Sequence, residues 1–361
     1  MFLLTMTLNE TIFLTGFPGF IAGHLLERLT SEEADFILLV QPVLMDKAIE
    51  EVNEIISKLG VSADRFSIAE GDITKPNLGM SESDYEIAKE ETTSIFHLAA
   101  IYDLAVTRDV GMRVNVEGTK NVNTFAKEVK NLRRYNYIST CYVAGKRSGL
   151  IKENELKHDK GFRNFYEETK YLAEVEVEEL KKNLPVTIHR PSVVVGDSKT
   201  GEIPKYDGIY YVINYLRRLP SVLSLFNIGN KDVRLNLVPV DFVVDAMATL
   251  AKDERAIGKT FHVSDTSPLT TEEICNAIAY SLVGKKSIVT IPAKVVNFSL
   301  MTPMSPPITG LPHVGVPYFF LQQTYDTTNS QAILEEHGII CPPFSSYVDK
   351  LISFVEQNPK I

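Results

Sequence analysis

Basic residues are the minority charge in this chain: 37 Lys and Arg against 46 Asp and Glu leave a net charge of −9. Nucleic-acid-binding domains carry a basic excess, so that class of partner is not expected. Long apolar runs are also missing. No stretch reaches the roughly 20 apolar residues that a membrane-crossing helix needs. The opening MFLLTMTLNE is apolar but has no basic residue before it and no small-residue cleavage site, so it makes a poor signal peptide. Cysteine is scarce. Cys141, Cys275 and Cys341 stand far apart, with neither disulfide nor metal spacing, and are expected as small buried apolar residues. The seven histidines show no ligand spacing either, so no metal is expected. His189 ends an apolar run and is expected as a core group. A cytoplasmic location follows as the default. No repeat or low-complexity tract is present.

What the chain does have is a glycine pattern in context. Thr11 to Leu14 form an apolar run that enters Gly16, Gly19 and Ala22 at G-x-x-G-x-x-A spacing. Leu25, Leu26 and Leu29 then continue a helical pattern. The first small residue permits a sharp turn, the second close approach of backbone N–H groups to a pyrophosphate, and the third tight helix–strand packing. A helix N-terminus placed there adds partial positive charge. The preceding strand and following helix make a dinucleotide the expected ligand.

With 361 residues, 44% apolar and 23% charged, the chain is long enough for about two domains. Further strand runs are expected at Phe36–Val40, Phe66–Ala69, Ser94–Leu98, Tyr135–Ser139 and Val186–His189. Helical patterns lie between them near 45–59, 106–129 and 164–182. That alternation predicts an α/β protein: a Rossmann-type, doubly wound parallel sheet. After Pro191 the texture changes. Residues 196–232 have no clean period, 235–265 return to strand-like runs around a helical pattern, and Thr270 and Glu273 stand at capping-box spacing. A last amphipathic pattern covers 344–356. The expected division is a dinucleotide-binding domain over 8–195 and 233–265, with a smaller, discontinuous substrate-binding region over 196–232 and 266–361.

Tyr166 and Lys170, four apart, share a helix face. A free phenol ionises near pH ~10; a neighbouring ammonium lowers that value and makes the phenol a usable acid or base for a carbonyl/alcohol pair. The pair lies 26 residues after Ser139-Thr140, at the end of the fifth expected strand, where such sheets face their ligand crevice. Asn115, in RVNVEGTK, either holds a water for proton relay or bonds to backbone where its helix bends.

The ordered set TGFPGFIAG, GDI, FHLAA, RVNVEGT, YISTCYVAG, YEETK and HRPSVVVGDS resembles the extended short-chain dehydrogenase/reductases. HLAAIYDL, STCYVAG, RNFYEETK, RPSVVVGDSKTGEI, KYDG and VPVDFVVDA look most like the thioester-reductase and fatty acyl-CoA reductase branch, the male-sterility type. The resemblance implies that Gly16, Gly19 and Ala22, with Phe17, Phe20 and Ile21 between them, hold the pyrophosphate. It places Gln41 at the position that reads the ribose, Asp72 and Ile73 at the adenine, and Ala99 and Ala100 by the ribose. It assigns Thr140 to aligning the substrate oxygen, with Ser139 as the neighbour that substitutes for it. Tyr166 is then the proton donor, and Lys170 binds the nicotinamide ribose and depresses the tyrosine pKa. Pro191 and Ser192 border the nicotinamide.

The cofactor implied is NADP(H), with NAD(H) open. Reductases of this branch carry Val-Arg after the second strand, where this chain has Val40-Gln41-Pro42; Lys47 is the nearest cation in sequence that reaches toward a 2′-phosphate. The substrate implied is a fatty-acyl-type thioester, a small molecule linked to CoA or presented on a separate carrier protein, reduced to aldehyde or on to alcohol. The alternatives are a dehydrogenase or epimerase of a secondary alcohol (a 3β-hydroxysteroid or sugar nucleotide), and a dinucleotide-binding sensor without turnover. Val295, Val296, Phe298, Leu300, Met301, Met304, Phe319 and Phe320 either line an adaptable acyl pocket or close the second domain's core. Tyr206, Tyr210, Tyr211 and Tyr215 either line the cleft or pack. Lys146, Arg147, Lys152, Lys157, Lys160 and Arg163 either meet an anionic carrier or CoA phosphates, or form a solvated loop with Glu153 and Glu155 interleaved.

Overall fold

The computed structural model of the chain describes residues 10–218, 226–287 and 289–359. Most of the opening apolar stretch, and residues 219–225 of the irregular segment, lie outside them.

Seven strands form the main sheet: β1 (Glu10–Thr15), β2 (Ala34–Val40), β3 (Phe66–Glu70), β4 (Ser94–His97), β5 (Arg134–Ile138), β6 (Val186–Pro191) and β7 (Thr260–Val263). Their order is β7-β6-β5-β4-β1-β2-β3. Pairing is parallel from β3 through β6, with Thr15 opposite both Leu39 and His97. The central strands are apolar runs because helices cover both of their faces. The six strands expected before residue 190 are all present, and TFHVS supplies the seventh. The chain goes outward from β1 to β3 and then crosses to β4. The carboxyl ends of β1 and β4 therefore flank the position where such folds open a ligand crevice.

α1 (Phe20–Thr30) follows β1, and α2 (Met45–Leu59) buries Ala48, Val52 and Ile55 before ending at Gly60, whose φ of +66° suits a left-handed C-cap. α3 (Glu82–Glu91), capped by Ser81, is an addition to the sequence reading. The helical run near 106–129 is interrupted: α4 (Arg108–Gly111) passes through a π-helical segment, Met112–Glu117, into α5 (Gly118–Glu128). α6 (Phe165–Glu178) carries the Tyr166/Lys170 pair. Phe13, Ile95, Phe125, Tyr135, Val177 and Ile188 form one buried cluster, with the Phe13 and Phe125 rings 4.5 Å apart.

The chain divides into two compact units, with limits that differ from the expected division. The first comprises 1–143, 165–190 and 247–261; the second comprises 144–164, 191–246 and 262–361. Segments 144–164, 191–195 and 233–246, together with His262 to Asp265, thus belong to the second unit rather than to the dinucleotide domain. The reason is pairing at long sequence distance. Gly149–Ile151 pairs with Gln323–Tyr325, and Val193–Val195 pairs with Leu237–Pro239. The buried Glu153 carboxylate also accepts backbone N–H groups of His262, Asn329 and Ser330 at 2.8–3.1 Å.

Within the second unit the capping box at Thr270 and Glu273 opens α-helix Thr271–Val283. Tyr210 is buried and its hydroxyl accepts the Gly196 N–H at 2.9 Å, while Tyr206 stacks on it at 5.4 Å; both pack. Phe319 is buried, whereas Val295, Phe298, Met301 and Met304 are exposed, so these four do not close a core. Cys141 and Cys275 are buried, Cys341 is partly so, and none of the three forms a disulfide. Among the described residues no His/Cys/Asp/Glu cluster could hold a metal, and no helix is long and apolar enough to cross a membrane.

Candidate active site

The glycine turn is built around close contacts. Gly16 has φ +94°, and a Cβ there would stand 2.8 Å from the Ala99 nitrogen. The β1 turn thus lies directly against the chain leaving β4. Gly19 is the N-cap of α1 and donates its N–H to Gly16 O at 2.9 Å; a Cβ on it would come within 2.6 Å of that oxygen. No side chain caps α1 and its first turn holds no acid, which leaves its N–H groups to an anion. Ala22 and Phe17 are buried beneath the turn, and Phe20 meets His24 edge-on. Ile21 is partly buried in the first turn. The Lys47 ammonium donates to Pro18 O at 3.1 Å and pairs with Glu51 at 3.3 Å, so it supports the turn from α2. Gln41 is exposed at the end of β2. Asp72 accepts from the Thr74 N–H and hydroxyl at 2.9 and 2.8 Å, and Ile73 is buried against Gly118. Ala99 is half-buried and Ala100 exposed at the β4 end.

Next to the β5 end two adjacent hydroxyls go different ways. Ser139 donates to the Glu174 carboxylate, which also holds Arg190 through Nε at 2.9 Å and through Nη2; Glu174 and Arg190 are fully buried. Thr140 accepts the Tyr142 N–H at 3.2 Å and is hydrogen-bonded to the Tyr166 phenol. Thr140 is therefore the hydroxyl that meets Tyr166, and Ser139 is committed to the interior. Tyr102 lies edge-on to the Tyr166 ring at 5.3 Å.

The expected effect of Lys170 on Tyr166 is corrected. Burial pushes the phenol well above its usual pKa, and only the Thr140 hydroxyl pulls appreciably the other way. The Lys170 ammonium donates instead to Ile138 O at 2.8 Å and to the Tyr137 hydroxyl at 3.1 Å. Burial pushes Lys170 itself down to about 8. Asn115 sits in the π-helical segment. Its Oδ1 accepts the Ile101 N–H at 2.8 Å and its Nδ2 donates to Thr169 at 3.0 Å. Pro191 ends β6, and Ser192 donates to Asn236 Oδ1 at 2.7 Å within the second unit. His189 is buried, paired through Nε2 with Asn136 at 3.1 Å, and held neutral by burial at about 3.

Glu174, Arg190 and Tyr137 were not singled out from sequence. Glu174 was findable: it stands one helical turn beyond Lys170 on the same face. Of the cations after the fifth strand, Arg147 and Arg163 are held by carbonyls of Ala144 and Gly145 inside the second unit.

Residues 14–247, well over half the chain, match the NAD-binding family described as male sterility protein. The chain belongs to that family. It is thus of the extended short-chain dehydrogenase/reductase type. Among its relatives is a fatty acyl-CoA reductase of Drosophila melanogaster called wat, 26% identical over 285 residues. That match covers 68% of this chain and 54% of the relative, so the chain spans about half the length of that protein. The terminal R domain of the myxalamid PKS-NRPS pathway superposes with a TM-score of 0.82 at 24% identity, covering 99% of this chain and 92% of that domain. A thiolation-reductase di-domain from an archaeal non-ribosomal peptide synthetase gives 0.77 at 21%, covering 97% and 76%. Both share the fold.

Proposed function

We propose that the chain reduces a fatty-acyl-type thioester, carried on CoA or on a separate carrier protein, with NADP(H) as the preferred cofactor. The carrying observation is the buried, protonated Tyr166 hydrogen-bonded to Thr140 beside the end of β5. Reduction consumes a proton at the substrate oxygen, and a phenol held neutral is a donor rather than a base. The names of the relatives, a fatty acyl-CoA reductase and reductase domains of peptide synthetases, support a thioester as the acceptor.

The cofactor fits the residues present: Gly16 and Gly19 leave the space a Cβ would fill, and the open N-terminus of α1 suits a pyrophosphate. When bound, it supplies a hydride to the thioester carbon. Thr140 and Tyr166 then hold the developing oxyanion by hydrogen bonds, and Tyr166 delivers its proton to that oxygen. The resulting hemithioacetal breaks its C–S bond, leaving an aldehyde and a thiolate that takes up a proton. The Lys170 ammonium, buried and donating to Ile138 O, stands one helical turn from Tyr166, where it would bind the nicotinamide ribose. A second round on the aldehyde gives the alcohol.

The test is purified chain with NADPH or NADH and a panel of acyl-CoAs, acylated carrier protein, sterols and UDP-sugars. Oxidation of NADPH with a thioester, with release of free thiol, is expected. Turnover confined to ketones or sugar nucleotides would replace this reading with that of a secondary-alcohol enzyme.

A further inference from the structure

Thr15 ends β1, His97 ends β4, Thr119 is in the first turn of α5 and Tyr137 is in β5; their side chains meet in the interior of the first unit. All four are at most 1% exposed, and Lys170 is 4% exposed. They form one hydrogen-bonded chain. Lys170 Nζ donates to the Tyr137 hydroxyl at 3.1 Å, and Tyr137 is bonded to Thr119. Thr119 Oγ1 lies 3.1 Å from His97 Nε2, and His97 Nδ1 lies 2.8 Å from Thr15 Oγ1. Thr15 accepts the Ala99 N–H at 3.1 Å.

The direction of donation follows from charge. Burial, with Lys170 next in weight, pushes His97 down to about 3, so the imidazole is neutral and has one N–H. Burial keeps Tyr137 protonated. A cation at one end turns each neighbouring dipole with its lone pair toward the charge. Tyr137 therefore accepts from Lys170 and donates to Thr119. Thr119 donates to His97 Nε2, and His97 Nδ1–H donates to Thr15. Each hydroxyl is polarised by the next, which makes the Tyr137 oxygen a better acceptor than an isolated phenol.

We propose that Tyr137 is a positioning residue for Lys170: its hydroxyl, fixed as an acceptor by Thr119 and neutral His97, keeps the buried lysine charged and ties it to the strand ends that carry the glycine turn. The proposal rests on the reading of Lys170 as the active-site lysine. The groups that face this ammonium are Tyr137 from β5, His97 from β4 and Glu174 from its own helix. Tyr137 contributes twice, since its ring centroid is 4.7 Å from Nζ. A phenylalanine keeps that ring and removes only the hydroxyl.

The test is an NMR titration of the full chain labelled with ¹³C,¹⁵N-lysine, the Lys170 signal being the one lost in Lys170→Arg. Tyr137→Phe is expected to lower the Lys170 midpoint by about one pH unit, the scale of a hydrogen bond to a charged group, and to leave the other lysines in place. Thr119→Val is expected to move it part of the way, and Thr119→Ser to restore it. A Lys170 midpoint unmoved in Tyr137→Phe overturns the proposal; if that variant does not fold, a midpoint equal in Thr119→Val and Thr119→Ser does so. The titration needs no turnover. The expected shift in a protein that reduces no thioester would support Tyr137's role and count against the proposed reaction.

Discussion

The Ser139 hydroxyl donates to Glu174, while the Thr140 hydroxyl beside it is bonded to Tyr166. Two neighbouring residues of nearly identical chemistry thus have separate tasks, one in the interior and one at the reacting oxygen. Thr140→Ala removes a donor aimed at developing charge, and such donors contribute about 10²–10³ in rate. A drop in kcat of about a hundredfold with little change in cofactor affinity is expected for Thr140→Ala. Ser139→Ala should stay within about threefold of the parent, because Glu174 keeps its two bonds from Arg190. Steady-state kinetics of the two variants side by side decides between them; equal losses would contradict the division of labour.

Glu174 and Arg190 make an ion pair with no solvent contact. Removing one partner of such a pair strands the other charge in the interior, at a cost of about 3–5 kcal/mol. Glu174→Ala is accordingly expected to lower the urea midpoint sharply. A double replacement of Glu174 and Arg190 by apolar residues of similar volume should recover much of the loss, which a double-mutant cycle measures.

Much of the fold was legible because its signals are periodic and local. The six expected strands are apolar runs, and α2 falls on the 45–59 pattern. The glycine turn was legible because Gly16 and Gly19 occupy positions with no room for a Cβ. Other features depend on contacts between distant segments. Residues 144–164 have no period of their own, and their place in the second unit is set by strand partners at 323–325. The spacing of Tyr166 and Lys170 fixed their common helix face. It could not show that Tyr137 and Ile138, 32 to 33 positions earlier, receive the ammonium. The resemblance assigned Thr140 rather than Ser139 to the substrate oxygen, but residue type and spacing could not show that the Ser139 hydroxyl turns to Glu174.

Gly19 tests the turn. A methyl group there would stand 2.6 Å from Gly16 O, so even alanine forces the backbone to move. Gly19→Ala is expected to weaken NADPH binding at least tenfold, and Gly19→Val more. The strand and core residues elsewhere in the sheet should keep their protection in hydrogen exchange. NADPH fluorescence titration reads the affinity, and an unchanged dissociation constant would remove Gly19 from the pyrophosphate site.

Lys170 also gives stability a pH dependence of defined sign. Its folded value, about 8, lies below the ordinary 10.5. Between those limits the unfolded chain binds more protons than the folded one, so this residue's penalty is complete below pH 8 and fades as pH rises toward 10.5. The full penalty is about 3 kcal/mol. Lys170→Met should therefore be more stable than the parent at pH 7, and the difference should shrink by pH 10. Urea unfolding of both proteins at the two pH values measures it. A constant difference would show that Lys170 titrates alike in both states.

Gln41 bears on cofactor choice. It is exposed at the end of β2, and the nearest cation along the chain, Lys47, is already committed to Pro18 O and Glu51. A 2′-phosphate placed beyond β2 would then meet an amide where a guanidinium makes two charge-assisted hydrogen bonds. Gln41→Arg is expected to raise the ratio of kcat/KM for NADPH over NADH by about tenfold, the return on one such contact near solvent. Gln41→Asp should lower the ratio by as much, since a carboxylate repels the phosphate and bonds the free ribose hydroxyl of NADH. Lys47→Ala, in contrast, should weaken both cofactors alike, because its ammonium supports the glycine turn they share. A ratio unmoved by either change at Gln41 would place the 2′-phosphate away from the end of β2.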